Sequence, residues 1–482
     1  MHPRSILRFI SIIILYLAIA LSVPTIVSVI YHENSVFPLL YSMLITLGVG
    51  LILYFLTRTH KELILSHRDG ILVVTFGWIT AGLIGALPFM LSGYIPDFTN
   101  AYFESLSGFT TTGASILNNI ESLPKGILLW RSIIQWLGGM GIIVLSIAIL
   151  PYLGVGGMQL YKAEIPSPVV EKLKPRISDT AKTLWKVYLL ITVIEVILLS
   201  VGGMPLFDSI CHAFCTMPTG GFSPKNLSIA HYGNPYLECV IMVFMLLAGI
   251  NFSLHYRFLK GESKIYVIDP ECRIFLLIVI SFILIIVIDL YKEVYGSLLE
   301  SIRFGSFQVC SIITTTGFVT ADFDKWPSLS RKILLICMIL GAMAGSTGGG
   351  IKTIRLILIA KHSYKEIFQL IHPRAILRVK LGGKSIPPEV LSSIWGFVFL
   401  YLGILVLASL IMAHLGMDMI SAFSSVCACI FNIGPGLGTV GPTQNYLSIP
   451  LIGKWILIFC MLLGRLEIYT VLVLLVPEFW RK

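Results

Sequence analysis

Apolar residues run along this chain in long blocks rather than in the alternating or 3.6-residue patterns of half-buried elements. Residues 6–30, 37–56, 71–91, 274–290 and 455–476 approach or exceed the roughly 20 residues that carry an α-helix across the hydrocarbon core of a bilayer. A helix satisfies its own backbone hydrogen bonds there, so these blocks predict transmembrane helices. The first block has no convincing small-residue cleavage site and a second follows closely, which predicts a retained helix rather than a leader.

Shorter apolar stretches, too short to cross, lie between long blocks at 102–109, 209–217, 302–313 and 420–431. Each runs into a glycine-containing turn: SGFTTTGAS at 107–115, CTMPTGGFS at 215–223, SIITTTGFV at 311–319 and CIFNIGPGL at 429–437. With Gly113, Gly220, Gly317 and Gly434 as the equivalent glycines, the spacings are 107, 97 and 117 residues, a fourfold internal repeat. Every unit reads span, short stretch, turn, span. Non-helical backbone at membrane depth survives only against protein or water, so the short stretches predict re-entrant half-helices that dip in and return on one side. The prediction is an all-α polytopic membrane protein of ten full spans and four half-helices. Two N-terminal spans occupy 1–68, and four pore repeats at 69–160, 161–260, 261–384 and 385–482 surround one pseudo-fourfold axis. Asn100, Asp208 and Asp418 are candidate helix starts, able to cap the first amides of three half-helices, and the third half-helix starts near Ser297 or Ser301.

The turns carry the candidate chemistry. A dehydrated cation needs oxygens in place of its hydration shell, and an extended loop offers carbonyls in a row. Glycine permits the backbone angles that align them, threonine adds a hydroxyl, and the negative end of each half-helix dipole favours a cation without a fixed carboxylate. The candidate ligands are Thr111, Thr112 and Gly113, then Pro218, Thr219 and Gly220, then Thr315, Thr316 and Gly317, and finally Asn432, Ile433 and Gly434. Asn432 and Ile433 make the fourth turn the most divergent, and Pro218 sets the second apart, so fewer well-formed ion sites are expected than in a symmetric tetramer.

Two further features lie inside spans. Gly345, Ser346, Thr347, Gly348, Gly349 and Gly350 interrupt the second span of the third unit, predicting a broken helix that lines a cavity. The string differs from a phosphate-binding loop: Ile351 follows Gly350 where a lysine is needed, and no strand precedes it. Arg465 stands within the last span with Glu467 nearby, and intramembrane charge is expensive and normally partnered.

Composition agrees. Of 482 residues, 56% are apolar and 12% charged, with a mean hydropathy of +0.88, outside the range of soluble globular proteins. The net charge of +10 does not mark a nucleic-acid binder, because 24 of the 35 Lys and Arg fall in six inter-span or terminal clusters that one membrane face can hold. The nine cysteines are scattered through apolar segments and read as buried small residues. The ten histidines are dispersed, and His212 has no partner in its motif, so neither an enzyme nor a resident cofactor is expected. The repeats share one orientation, unlike the inverted repeats of many secondary transporters.

On these turns the chain resembles the Trk/Ktr/HKT superfamily of potassium transporters, and within it the bacterial TrkH-type membrane subunit. The likeness covers essentially the whole chain, including the extra N-terminal pair of spans that KtrB-type subunits lack. It implies K⁺, and Rb⁺, as bound and transported ion, since glycine at the position of Gly113 goes with potassium permeability and serine with sodium-transporting plant relatives. It also implies that the loop Gly345 to Gly350 is a gate and that Arg465 faces the pore as an electrostatic barrier. Further implications are a homodimer in the bacterial inner (cytoplasmic) membrane, with both termini cytoplasmic, and docking of a TrkA-type RCK subunit that binds NAD(H) or ATP/ADP. The basic loops at 161–186 and 361–384 are the expected docking surface. Symport of K⁺ with H⁺ or Na⁺ through the same fold is the alternative.

Overall fold

The computed structural model describes residues 2–58, 66–148 and 177–481; most of the expected docking loop at 161–186 lies outside them. Two N-terminal helices, α1 (Pro3–Ile30) and α2 (Val36–Leu56), pack on each other and against the first repeat. That repeat comprises α3 (His67–Leu91), the half-helix α4 (Phe98–Phe109) and α5 (Lys125–Ala148). The second has α6 (Ile177–Val201), half-helix α7 (Leu206–Thr216), α8 (Pro235–Gly249) and α9 (Phe252–Leu259). The third has α10 (Pro270–Leu290), half-helix α11 (Leu298–Ile313), α12 (Ser328–Leu340) and α13 (Thr353–Ile371). The fourth has α14 (Pro388–His414), half-helix α15 (Met419–Ile430), α16 (Leu451–Arg465) and α17 (Ile468–Leu472).

Past their exposed first turns the half-helices are buried, while α1, α2, α10 and α14 expose long rows of Leu, Ile, Val and Phe. Polar turns inside and apolar helices outside is the order that a surrounding hydrocarbon medium imposes.

The return spans differ from expectation. The sequence predicts one broken span, and among the described residues three of the four are broken. α8 and α9 meet at 103°, and α16 meets the segment after it at 117°. α12 and α13 are separated by residues 341–352, a wider gap than the one predicted from Gly345 to Gly350. The block 455–476, expected to be continuous, turns at Glu467, whose φ is +59°. Its flanks remain apolar, so hydropathy does not register the turn.

Two expected caps are also corrected. Asp97, not Asn100, caps α4 by accepting from the Asn100 amide at 2.9 Å. Asn100 instead accepts from the Lys454 ammonium at 2.7 Å. Asp208 lies within the first turn of α7, where its carboxylate accepts from the Tyr232 hydroxyl at 2.8 Å. Asp418 caps α15 as predicted, through the Ser421 amide at 3.1 Å, and α11 starts beside Ser297. Eight cysteines are buried, whereas Cys239 near the start of α8 is exposed. At one end of the bundle the His2 amide donates to Asp69 at 3.0 Å, and Arg68 donates to the Phe479 and Arg481 carbonyls at 3.2 and 2.6 Å. Both chain ends and the start of α3 therefore meet on one face.

Candidate functional site

Each half-helix ends in the same backbone device. A left-handed residue is followed two positions later by a left-handed glycine: Thr111 (φ +52°) and Gly113 (+78°), Thr219 (+56°) and Gly221 (+76°), Thr315 (+59°) and Gly317 (+80°), Asn432 (+56°) and Gly434 (+97°). The glycine of the second turn is therefore Gly221, and Gly220 takes the place of Thr112, Thr316 and Ile433. The Thr-Gly pair in PTGG favours the first of two adjacent glycines by sequence, whereas φ selects the second. The amides before and at these glycines turn back onto the half-helix: Thr112 donates to Ser107 O at 2.8 Å, Gly220 to Cys215 O at 2.9 Å, Thr316 to Ser311 O at 2.8 Å and Ile433 to Ala428 O at 2.8 Å. Because the two ends of a peptide unit point oppositely, this leaves the carbonyls of the turn directed away from the helix.

These carbonyls meet the neighbouring repeat in a closed cycle. A Cβ on Gly113 would strike the carbonyl oxygen of Gly220, one on Gly221 that of Thr316, and one on Gly317 that of Ile433. The cycle ends at Gly434, where a Cβ would stand 2.8 Å from the Thr112 oxygen. The four repeats thus follow one another around a single axis. Glycine is required at these four positions twice over, by the left-handed backbone and by the close approach of a carbonyl. Within the first and third turns the hydroxyls of Thr110 and Thr112, and of Thr314 and Thr316, bond to each other at 2.8 and 2.9 Å.

Behind the ring a side chain from each half-helix braces the strand that leaves it. Glu104, His212 and Gln308 stand at the same register, nine positions before the ring glycine. Glu104 accepts from the Ser115 hydroxyl at 3.0 Å and the Ile116 amide at 3.0 Å, and it pairs with Arg131 at 2.8 Å. His212 bonds to Ser223 through Nε2 at 3.1 Å, and Gln308 donates to Thr320 at 3.2 Å. In the fourth repeat Ser424, one position earlier, donates to the Leu437 carbonyl at 3.0 Å. Arg131 also donates to the Ser223 carbonyl at 3.2 Å, tying the first strand to the second. Sequence reasoning left His212 without a partner; counting back from Gly221 instead of Gly220 brings it into register with Glu104 and Gln308. Outside the ring lies a vestibule of about 100 Å³, lined by Gly113, Gly221, Gly317 and Gly434 together with Arg131, Lys225 and Tyr446.

Directly inside the ring lies the chain between Gly341 (φ +69°) and Lys352 (φ +71°). Its freed backbone groups find partners in the second, third and fourth repeats, the condition for irregular backbone at this depth. The Thr347 hydroxyl donates to Met217 O at 2.9 Å, and the Gly349 amide donates to the Thr315 hydroxyl at 2.7 Å. The Gly345 carbonyl accepts from the Phe252 amide at 3.1 Å, in the break between α8 and α9. Gly349 packs against the Phe431 carbonyl. Glu271, buried at the start of α10, accepts from the amides of Ala344 and Ile354 at 2.9 and 3.1 Å, and Lys352 donates to the Gly348 carbonyl. Arg465, 3% exposed, donates to Thr347 O at 2.8 Å and to Gly138 O of the first repeat at 3.2 Å. Glu467 is not its partner, because that carboxylate pairs with Arg355 at 2.6 Å. Loop and arginine together touch the inner side of every repeat. All the predicted residues of the turns and of the loop thus come together on one axis, with Gly221 added to them.

An all-α chain whose four re-entrant hairpins form one carbonyl-lined ring defines a class of single-chain, pseudo-fourfold cation-translocating membrane proteins. The chain belongs to the TrkH family, described as cation transport proteins, which it matches over residues 37–482. It is 42% identical to the Trk system potassium uptake protein TrkH of Salmonella typhimurium, over 100% of both chains. It is 36% identical to the Trk system potassium uptake protein TrkG of Escherichia coli, over 100% of this chain and 99% of that relative. The crystal structure of the potassium transporter TrkH from Vibrio parahaemolyticus superimposes with a TM-score of 0.92 at 38% identity, covering 100% of both chains.

Proposed function

We propose that this chain is the membrane subunit of a potassium uptake system, conducting K⁺ inward through the ring formed by the turns at Thr111–Gly113, Thr219–Gly221, Thr315–Gly317 and Asn432–Gly434. The observation that carries this reading is the closed cycle in which each left-handed glycine meets a carbonyl of the next repeat. A ring of fixed carbonyls replaces the hydration shell of an alkali cation without a buried carboxylate to trap it. The half-helix C-termini add a negative potential, and the 42% identity to a protein named for potassium uptake supports K⁺ as the ion.

The loop between Gly341 and Lys352 and the guanidinium of Arg465 then form the gate. They lie across the inner end of the ring, and a fixed positive charge there opposes cation passage by simple repulsion. Opening requires the loop to exchange its bonds to Thr315, Met217 and Arg465 for other partners. A cytosolic RCK-type subunit that binds NAD(H) or ATP/ADP, docked on the basic face of a homodimer, supplies that work. The meeting of both chain ends on one face, with a spacing of basic clusters along the sequence that one face can hold, supports an inner-membrane orientation with both ends cytoplasmic.

The test is ⁸⁶Rb⁺ uptake into liposomes holding the purified protein, with K⁺ or Na⁺ as competitor. Block by K⁺ and not by Na⁺ is expected. Absence of cation-dependent flux under any gradient or nucleotide-binding partner refutes the reading.

A further inference from the structure

Three of the four ring turns carry a side chain on the residue before the left-handed glycine, namely Thr112, Thr316 and Ile433; the second has Gly220. The backbone does not demand glycine there, because Gly220 lies outside the left-handed region that Gly221 occupies. Space demands it. A Cβ on Gly220 would stand 2.5 Å from the Cδ of Gln135, 2.6 Å from its Oε1 and 2.8 Å from its Nε2. Gln135 is fully buried on α5 and so belongs to the preceding repeat. Its Nε2 donates to the Gly220 carbonyl at 2.6 Å and its Oε1 accepts from the Phe222 amide at 3.0 Å. One primary amide therefore grips the ring strand on both sides of Gly221.

The second turn has need of such a grip. In the first and third turns two threonine hydroxyls clasp each other, whereas the second has Pro218 in place of one and Gly220 in place of the other. We propose that Gln135 is a specificity-determining residue of the ring: it stands in, from the neighbouring repeat, for the hydroxyl clasp that the second turn lacks, and it fixes the direction of the Gly220 carbonyl. That carbonyl is the one against which Gly113 packs, so the grip acts at the seam between the first two repeats. A carbonyl oxygen has two lone pairs, and the bond from Gln135 leaves one for a cation. Held from outside, the seam resists closing around a cation smaller than K⁺; released, it accommodates Na⁺. This role rests on the ring being the cation path, as proposed above.

The test uses the full-length protein in liposomes and three variants: Gln135→Leu, Gly220→Thr, and Gln135→Ala combined with Gly220→Thr. Competition by K⁺ and Na⁺ against ⁸⁶Rb⁺ uptake and the Tm in detergent are both read. Gln135→Leu is expected to lower uptake to a rate still above background and to lose about fivefold of its preference for K⁺ over Na⁺, the factor a bond of ordinary net strength to the Gly220 carbonyl is worth. Gly220→Thr is expected to lose uptake and Tm together, and the double variant to regain both because the new side chain enters the space that glutamine vacates. A lower Tm with unchanged ion preference in Gln135→Leu overturns the proposal, as does a double variant no better than Gly220→Thr. A wild type without K⁺-preferring flux overturns the path itself, in which case recovery of Tm in the double variant still reports the packing of Gln135 on Gly220.

Discussion

Replacing Arg465 by alanine is the sharpest perturbation of the proposed gate. The guanidinium makes two hydrogen bonds to backbone oxygens, to Thr347 at 2.8 Å and to Gly138 at 3.2 Å, and the first holds the loop to α16. Net contributions of hydrogen bonds from charged groups run to about 1.5–3 kcal/mol each. Taking the bond to the loop alone, together with the loss of a fixed charge on the axis, the closed arrangement loses about 3 kcal/mol relative to any open one. At 1.4 kcal/mol per factor of ten, that shifts the closed-to-open ratio by about 100-fold. The assay is ⁸⁶Rb⁺ uptake into liposomes without any cytosolic partner, where the proposed gate holds the wild type closed; Arg465→Ala should raise the initial rate by a factor that approaches this shift. Arg465→Lys keeps the charge but loses the planar fork that reaches two carbonyls at once, so its rate should fall between the two. The ion preference should be retained in both, because neither variant touches the ring. A rate for Arg465→Ala within about twofold of wild type would mean that the arginine holds the fold and not the closed state, and the gate assignment would fail.

Other expectations follow from single contacts. Gly221→Ala places a Cβ against the Thr316 carbonyl in a left-handed conformation that costs an L-residue about 1–2 kcal/mol, and uptake should fall to background; wild-type flux and preference would show that the ring register is wrong. Glu104→Gln leaves the buried Arg131 without its counter-charge, a change worth about 3 kcal/mol or more, so the Tm in detergent should fall, and an unchanged Tm would refute the pairing. Because Cys239 is the exposed thiol among eight buried ones, a membrane-permeant maleimide should add one label to the folded protein by mass spectrometry; labelling of Cys427 or Cys429 behind the ring would contradict the packing.

The sequence carries some of this architecture openly and hides the rest, and the division has a physical basis. A half-helix that must end within the membrane needs a chain reversal, and that reversal needs glycine at a left-handed position. Gly113, Gly317 and Gly434 therefore announce the repeat by their spacing along the sequence. Gly345 to Gly350 announce a break for the same reason. Where a break is made by ordinary residues the local mark is weak: at Ile250 and Asn251 it is the Asn251 side chain, which caps α9 by accepting from the Ser253 amide at 2.8 Å, and at Leu466 and Glu467 hydropathy shows none. The condition that permits it is a partner waiting on another repeat: the Gly345 carbonyl accepts from the Phe252 amide, and the Arg355 guanidinium donates to Glu467.

The off-by-one at Gly220 and Gly221 has the same origin. Either glycine suits a Thr-Gly turn taken alone, and the choice is made by Gln135, which fills the space beside Gly220 from a helix of the preceding repeat. His212 likewise looks idle until Ser223 stands opposite it. In a ring built by four unequal hairpins, each turn states what its own backbone needs, while the neighbour supplies what that turn has lost. The second and fourth turns, which depart most from the threonine pattern, are those whose ring carbonyls accept a hydrogen bond from an uncharged side chain outside the turn: Gln135 donates to Gly220 O at 2.6 Å and Tyr446 to Gly434 O at 2.6 Å. Departure from the repeat pattern therefore does not by itself predict a looser ion site, and the expectation of fewer well-formed sites drawn from Pro218, Asn432 and Ile433 has to be weighed against these two braces.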